Sequence, residues 1–351
     1  MSISTQEAIS DDESTSDHLC VGLKSNVIYN EDCLIGMQRL PNNSVDLIAT
    51  DPPYFRVKRE SWDRQWESSE KFIEWIGDLC NQWRRILKPN GSLYCFASPQ
   101  MAAMVEVKIS DSLNTLNRIR WMKSAGWHNK CRPLDLRSYL SPWEEIIFAE
   151  HYGSDNIAKG KAGINPIALS ITKQRSSISR MRSTDVDIAL GYVRTKDPTR
   201  GTELCRRWEE GSSIPNKTDY VRAFVAMGSD QSAAQLGVQY ETLLEQYETL
   251  RRPFKVSAAV PFTDVWNFPT VQAYKGKHPC EKPLAIMEHI VTTSSNPGAV
   301  ILDCFIGSGT TAIACLNTGR NYIGFETDLG HYEAAMKRIA KHTEQMLGQT
   351  A

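Results

Sequence analysis

The sequence predicts an α/β fold: a mostly parallel sheet with helices on both faces, split by a long insert. Three observations carry that expectation. Short apolar runs of strand length alternate with longer stretches of helical spacing, as βαβ units require. The alternation stops near residue 152 and resumes after residue 262. Two strand-like runs also end in loops of unusual composition, "TDPPYF" at 50–55 and "FIGSGTT" at 305–311.

Residues 1–25 are polar, carry five acids and read as a tail without fixed structure. "NVIY" (26–29) is a short strand and "CLIGMQRL" (33–40) has helical spacing. "VDLIAT" (45–50) is nearly all apolar, as a strand covered on both faces should be. Residues 68–87 place Phe72, Ile73, Ile76, Leu79, Cys80, Trp83 and Leu87 at helical spacing, and "KPNG" (88–91) stops that helix. "SLYCFAS", "TLNRIRWMK" and "EEIIFAE" supply three more strands before residue 151.

The stretch 152–262 is polar and rich in Ser, Arg and Thr. Within it, 219–254 is helical, with a turn at "GSD" (228–230); a helix-turn-helix and ordinary helical packing both fit. After it, "PLAIMEHIVTTSS" is a helix, "AVILDCF" a strand, "GTTAIACLNTG" a helix ended by glycine, "NYIGFET" a strand and 330–346 a last helix. One αβ domain is therefore expected in two pieces, 26–151 and 263–351, around an insert at 152–262.

With 351 residues and 41% hydrophobic content the chain can bury a sizeable core. Forty Lys plus Arg against 41 Asp plus Glu exclude a general polycation, although local basic patches remain free to act. Nine scattered cysteines contain no C-x-x-C pair, so neither a disulfide framework nor a metal site is expected. No apolar run reaches the roughly 18 residues of a membrane span, and the acidic N-terminus is unlike a signal peptide. The expectation is a soluble, cytoplasmic protein with no membrane partner.

In "VILDCFIGSGTTAIAC", Phe305, Gly307 and Gly309 fall between a strand and a helix, with Thr310 opening the helix and Asp303 at the strand end. Glycines let a ligand approach the backbone, and the helix start offers unpaired N–H groups. Glu326 ends the next strand, seventeen residues past Gly309, where a carboxylate can accept from two ribose hydroxyls. Gly307, Gly309 and Ala312 also satisfy the nicotinamide fingerprint, so a NAD-dependent oxidoreductase remains a rival; a P-loop does not, since no Lys follows the glycines. For an adenosyl cofactor, Asp32, beside Cys33 after the first strand, can accept from the adenine amine, or it can simply cap a helix. Lys282 in "KHPCEKP" can meet the cofactor's carboxylate or stay in solvent.

Asp51, Pro52, Pro53 and Tyr54 form the other loop. An exocyclic amine on a nucleobase is a poor nucleophile, because its lone pair is delocalised into the ring. Two acceptors holding its hydrogens favour a tetrahedral nitrogen with the lone pair out of plane. The Asp51 carboxylate and the Pro52 carbonyl are two such acceptors, the latter held by proline geometry. Tyr54 offers a stacking face, a contact worth about 1–3 kcal/mol. Such a base must first leave the helix by base flipping.

These segments resemble those of DNA amino-methyltransferases that use S-adenosyl-L-methionine, in the permuted beta class whose catalytic half precedes the glycine loop. "NEDCLIGM", "VDLIATDPPY", "GSLYCFAS", "HPCEKP", "ILDCFIGSGTT" and "YIGFETD" carry the resemblance, over about 27–150 and 262–340. It implies a circularly permuted Rossmann-like methyltransferase fold with a seven-stranded sheet. It assigns Asp51, Pro52, Pro53 and Tyr54 to the target base, and Asp32, Cys33, Asp303, Phe305, Gly307, Gly309, Thr310 and Glu326 to the cofactor, with Lys282 near its methionine end. Aspartate at position 51 implies adenine N6, with cytosine N4 as the alternative in the family and a non-catalytic DNA-binding regulator as one outside it. Cys280 and Cys304 depart from the usual threonine and small or apolar residue.

Double-stranded DNA is the implied partner; a homodimer and a companion endonuclease of a restriction-modification system stay open. Between Asn156 and Ser183 there are six basic residues and no acid, including Lys173, Arg175, Arg180 and Arg182. "RIRWMKSAGWHNKCR" adds Arg132 among others. The insert is thus the expected target-recognition region. Neutralising Arg180 and Arg182 together should weaken DNA binding and flatten its salt dependence; a binding-versus-salt slope that does not change would reject the patch.

Overall fold

The structure is a computed structural model that describes residues 23–57, 59–123, 137, 139–151, 165–256, 263–272, 274 and 277–350. The expected tail lies almost wholly outside them, as do the junctions at 152–164 and 257–262.

Among the described residues ten strands follow in chain order: β1 (Val27–Tyr29), β2 (Val45–Thr50), β3 (Leu87–Ala97), β4 (Asn114–Met122), β5 (Trp143–Glu150), β6 (Val193–Arg194), β7 (Asp197–Gly201), β8 (Val265–Asn267), β9 (Val300–Asp303) and β10 (Asn321–Phe325). Eight form one sheet in the order β1-β10-β9-β2-β3-β5-β4-β8. The pairings from β1 across to β3 are parallel; β5 is antiparallel to both β3 and β4. The sheet is therefore mostly parallel, and the seven expected strands are joined by β8 at the β4 edge. β6 and β7 make a separate two-stranded ribbon in the insert.

The helices are α1 (Cys33–Gln38), α2 (Ser69–Ile86), α3 (Ala102–Ser110), α4 (Pro166–Lys173), α5 (Ser183–Leu190), α6 (Leu204–Glu209), α7 (Lys217–Ala226), α8 (Ala233–Leu250), α9 (Leu284–Ser294), α10 (Thr310–Thr318) and α11 (Leu329–Thr350). On β2, successive side chains serve opposite faces. Ile48 joins Phe72, Ile76 and Trp83 of α2, while Leu47 and Ala49 join Ile286 of α9 and Ala312 of α10. That is why the centre of the run "VDLIAT", Leu47 to Ala49, had to be apolar on both faces.

Two local details differ from the sequence reading. "KPNG" does not separate helix from strand: α2 ends at Ile86 and β3 begins at Leu87, with 88–91 held as a bulge opposite β2. Lys88 pairs with Asp46 at 2.8 Å, which ties the bulge to its neighbour. The helix α3 was unread because it has no clean apolar face: Val105 and Ile109 are buried, yet Met104 and Val107 are exposed.

The insert has its own core, built from Ile167, Ile171, Val186, Trp208, Tyr220, Phe224 and Leu236 among others. The helices α7 and α8 both feed it, each capped by its own side chain, Asn216 and Ser232. The exposed side of α8 carries Glu241, Glu245 and Glu248. Three carboxylates there suit ordinary packing beside solvent, since a helix entering a DNA groove would bring them to phosphates.

Gly36, on α1, sits against the Phe325 ring of β10: a Cβ there would lie 2.1 Å from the nearest ring carbon. Gly36→Ala should cost about 1–3 kcal/mol, read as a lower urea midpoint at unchanged m. An unaltered midpoint would show that the helix can shift freely.

Candidate active site

The site follows from the sheet order. β9 lies between β10 and β2. The helix after β9, α10, covers one face, whereas the helix after β2, α2, covers the other. Loops that part in this way leave a crevice at the carboxyl ends of parallel strands. The register Leu47↔Ile301 and Ile48↔Leu302 brings the Asp51 and Asp303 loops side by side, and the Thr50 hydroxyl accepts from the Cys304 N–H at 3.1 Å.

A cavity of about 570 Å³ opens there. Asp32, Cys33, Asp51, Pro52, Pro53, Tyr54, Lys282, Asp303, Phe305, Gly307, Thr310 and Glu326 all line it. Gly309 does not appear in the lining. It starts α10 at φ +77°, and a Cβ on it would press on Ala335 and Ile339 of α11. Its glycine serves helix packing.

On the glycine-loop side, Gly307 has φ +49°, and a Cβ there would stand 3.1 Å from the His278 ring. Its N–H donates to Glu326 Oε2 at 3.1 Å, while Asp328 N–H donates to Oε1 at 2.9 Å. Burial raises the Glu326 carboxyl above its ordinary range. Asp303 accepts from Phe305 N–H at 3.1 Å and from the Thr311 hydroxyl at 2.5 Å, which closes the turn; burial lifts it to about 7. β1 pairs with β10 in register Tyr29↔Phe325, so Asp32 and Glu326 end adjacent strands. Asp32 does cap α1, accepting from Leu34 N–H at 2.8 Å, and it still lines the cavity. A loop with no side chain at 307, next to carboxylates at two neighbouring strand ends, fits an adenosyl group with ribose hydroxyls to donate.

On the other side, Asp51 is the centre of a buried ionic cluster. Lys282 Nζ donates to Asp51 Oδ2 at 2.6 Å and to the Tyr54 hydroxyl at 3.1 Å, and lies 3.2 Å from Glu144 Oε2. The Tyr54 hydroxyl donates to Asp51 Oδ1 at 2.6 Å. Glu144 also pairs with Lys123. Burial raises the Asp51 carboxyl against the pull of Lys282, and Glu144 pushes the same way. Burial would raise Glu144 too, but Lys282 and Lys123 outweigh it and hold it at about 2. Burial disfavours the Lys282 ammonium, yet Asp51 and Glu144 keep it charged beyond the usual lysine range. Among the described residues no donor bonds the Pro52 carbonyl, which leaves it available as an acceptor.

Lys282, expected at the cofactor's methionine end, thus has its ammonium among the acceptors. The sequence reading missed Glu144 altogether and took Lys123 only as one of the basic residues of "RIRWMKSAGWHNKCR", whereas it pairs with Glu144. The signal was "WEEIIF": two acids at the head of an otherwise apolar strand, where Glu145 turns to Trp143 and Glu144 to the cavity cluster. Asp63 was missed as well; it is fully buried, and its carboxylate accepts from Tyr54 N–H at 2.7 Å, bracing the loop. Arg338 of α11 binds Ser308 O at 3.1 Å and Glu281 at 3.1 Å, clamping the glycine loop to the "HPCEKP" block.

The basic residues lie elsewhere. Lys173, Arg175, Arg180 and Arg182 are on the insert, and none lines the cavity. Arg175 is engaged internally, by Glu209 and by Met181 O at 3.0 Å. Arg180 is exposed with φ +57°, and Arg182 pairs with Asp185 at 2.9 Å while remaining open to solvent. Arg132 lies outside the described residues. Among the described residues, no cluster of His, Cys, Asp and Glu could hold a metal and no helix is long and apolar enough to cross a membrane.

Comparison with known proteins gives three findings. The profile of the family N6_N4_Mtase, described as "DNA methylase", matches residues 45–337. The chain is 23% identical over 326 residues to the DNA adenine methyltransferase YhdJ of Escherichia coli (strain K12), covering 91% of this chain and 84% of that protein. It is 24% identical over 338 residues to the type II methyltransferase M2.MboI of Moraxella bovis, covering 90% and 88%. Among solved structures, the cytosine-N4-specific PvuII DNA methyltransferase shares the fold at a TM-score of 0.50, with 12% identity and 92% of each chain covered.

His278, packed on Gly307 and against His331 at 4.3 Å between ring centroids, is held by burial at about 4. The unfolded chain, titrating near 6.5, binds that proton first, so stability through this group rises with pH from about 4 to 6.5. Melting temperature against pH should climb less steeply over that window in His278→Gln than in the parent protein. Parallel curves would contradict the burial of a neutral imidazole.

Proposed function

The chain belongs to the N6_N4 family of DNA methylases, and from that premise we propose that it moves a methyl group from S-adenosyl-L-methionine to the N6 amine of an adenine flipped out of double-stranded DNA. One observation carries the reading: the Asp51 cluster and the Gly307–Glu326 loop face a single cavity. An oxidoreductase would have no use for the Asp51 cluster, and a bare DNA-binding regulator no use for either half.

S-adenosyl-L-methionine, when bound, supplies an electrophilic methyl on a sulfonium sulfur, which keeps the C–S electron pair as the new N–C bond forms. Glu326 would accept from its ribose hydroxyls and Asp32 from its adenine amine, and the bare backbone at Gly307 would leave room for it. The Asp51 carboxylate and Pro52 carbonyl take the two amine hydrogens and turn the lone pair out of the ring plane. Placement and electrostatics then do most of the acceleration. The methylated nitrogen must lose a proton, and the Asp51 carboxylate is in contact to receive it before passing it to solvent. Burial, which makes Asp51 easier to protonate, favours that role.

Adenine is preferred to cytosine because aspartate leads the loop and because a relative aligned over 91% of this chain is named an adenine methyltransferase. The insert, with its separate core and exposed Arg180 and Arg182, is the proposed target-recognition region, and Arg132, which precedes it in the chain, is a further proposed DNA contact.

Incubated with DNA of mixed sequence and methyl-labelled cofactor, the protein should label DNA, and digestion should return N6-methyladenine. Label in N4-methylcytosine would move the target to the other amine, and no label despite bound cofactor would reject the reading. Asp51→Ala should cut the rate by roughly 10² or more with cofactor affinity retained.

A further inference from the structure

The buried cluster has more charge than amine capture needs. Besides the Asp51 carboxylate it holds a second one, Glu144, from a different strand, and an ammonium, Lys282, that bonds Asp51 at 2.6 Å. In this arrangement Lys282 sits at one of the two oxygens that a base amine would have to use. If Asp51 released it with nothing else nearby, a lysine only 8% exposed would be left as an uncompensated buried charge. Glu144 Oε2 is already 3.2 Å from the same nitrogen, and its other oxygen is anchored by Lys123.

We propose that Glu144 is a positioning residue for methyl transfer: it takes over the Lys282 ammonium when Asp51 exchanges that ammonium for the exocyclic amine of the target base. The inference rests on the reading of the site as a base-amine methyltransferase. No bond is made or broken in the exchange; one hydrogen-bond partner of Asp51 replaces another, and the net charge of the cluster is unchanged. The Tyr54 hydroxyl, bonded to Asp51 Oδ1 and within 3.1 Å of Glu144, bridges the two carboxylates and holds their spacing.

Without the Glu144 charge, Lys282 has Asp51 as its single anionic partner. Base capture weakens, and Asp51 becomes harder to protonate. The groups facing Asp51 are Lys282 from the 278–283 block, with Cys280 beside Lys282 and Tyr54, Glu144 from β5 with Lys123 behind it, Tyr54 from its own loop, Asp303 from β9 and Cys95 from β3. Only Glu144 is altered in the test.

Glu144→Gln and Glu144→Asp are compared with the parent protein, on a duplex whose target site has been located by sequencing DNA that the parent protein has methylated. Glu144→Gln should lower kcat/KM for DNA roughly 10- to 100-fold, with affinity for S-adenosyl-L-methionine within about twofold of the parent protein. The acid limb of its kcat/KM profile should move to lower pH. In cofactor-free protein, fluorescence of a duplex with 2-aminopurine beside an intact target adenine should show weaker capture of the flipped base. Glu144→Asp, which keeps the charge, should recover part of each effect, and it carries the comparison alone if Glu144→Gln does not fold. Unchanged kcat/KM, or a loss with an unmoved acid limb and an equal loss of cofactor binding, would overturn the inference while leaving the methyltransferase reading intact. No transfer by the parent protein would overturn that reading first, and the inference with it.

Discussion

The Lys282 ammonium holds together three segments that are far apart in the chain: the loop after β2, the head of β5 and the block before α9. Two carboxylates buried side by side repel, and one of them would ordinarily take up a proton. With Lys282 between them, and Lys123 behind Glu144, two ammonium groups face the two carboxylates. Lys282 opposes the burial that raises the Asp51 carboxyl. It also sets the resting state of Asp51, which is bonded and oriented before any base arrives. Preorganised acceptors of this kind cost no rearrangement of solvent at the moment of reaction.

Around that cluster the sheet does the gross placement. Parallel pairing of β2 with β9 puts two loops from opposite ends of the chain at one edge, and the divergence of α2 and α10 to opposite faces opens the crevice between them. The glycine-loop side, where the cofactor is proposed to sit, relies on backbone shape, with Gly307 in the left-handed region and Glu326 bridging two N–H groups. The acceptor side relies on charge. Arg338 and His278 pack at the seam, so the terminal helix and the "HPCEKP" block are braced on the same glycine loop. The insert stands apart, with a core of its own and its exposed basic side chains away from the cavity.

Much of this was legible because the decisive features are local in the chain. "VDLIAT" followed by "DPPY", and "VILD" followed by "FIGSG", each place a loop at the end of a buried strand without any knowledge of the third dimension. The adjacency of Asp32 and Glu326 could be stated as a condition on strand order, and β1 and β10 meet it. What could not be read was pairwise and long-range. Glu144 is one of two consecutive acids, and which of them meets Lys282 and Tyr54 depends on the phase of β5 in a sheet assembled from distant strands. Lys282 could be placed near the site but not on a particular partner. Gly309 looked like a ligand glycine, and the contact that requires it comes from α11, some two dozen residues on. Asp63 looked like any polar loop residue, because its burial is created by the loop folding back on Tyr54.

The account stands on one juxtaposition, a base amine at Asp51 facing the ligand seated at Gly307. A crystal structure of the protein with S-adenosylhomocysteine and a duplex containing its target site measures it directly. The account predicts the extruded base in the same cavity as the cofactor product, its exocyclic nitrogen about 3 Å from the Asp51 carboxylate and its ring plane open toward the sulfur, with Lys282 turned to Glu144. A duplex whose extruded base lies outside this cavity, or a cofactor product bound away from the Gly307 loop, would contradict it.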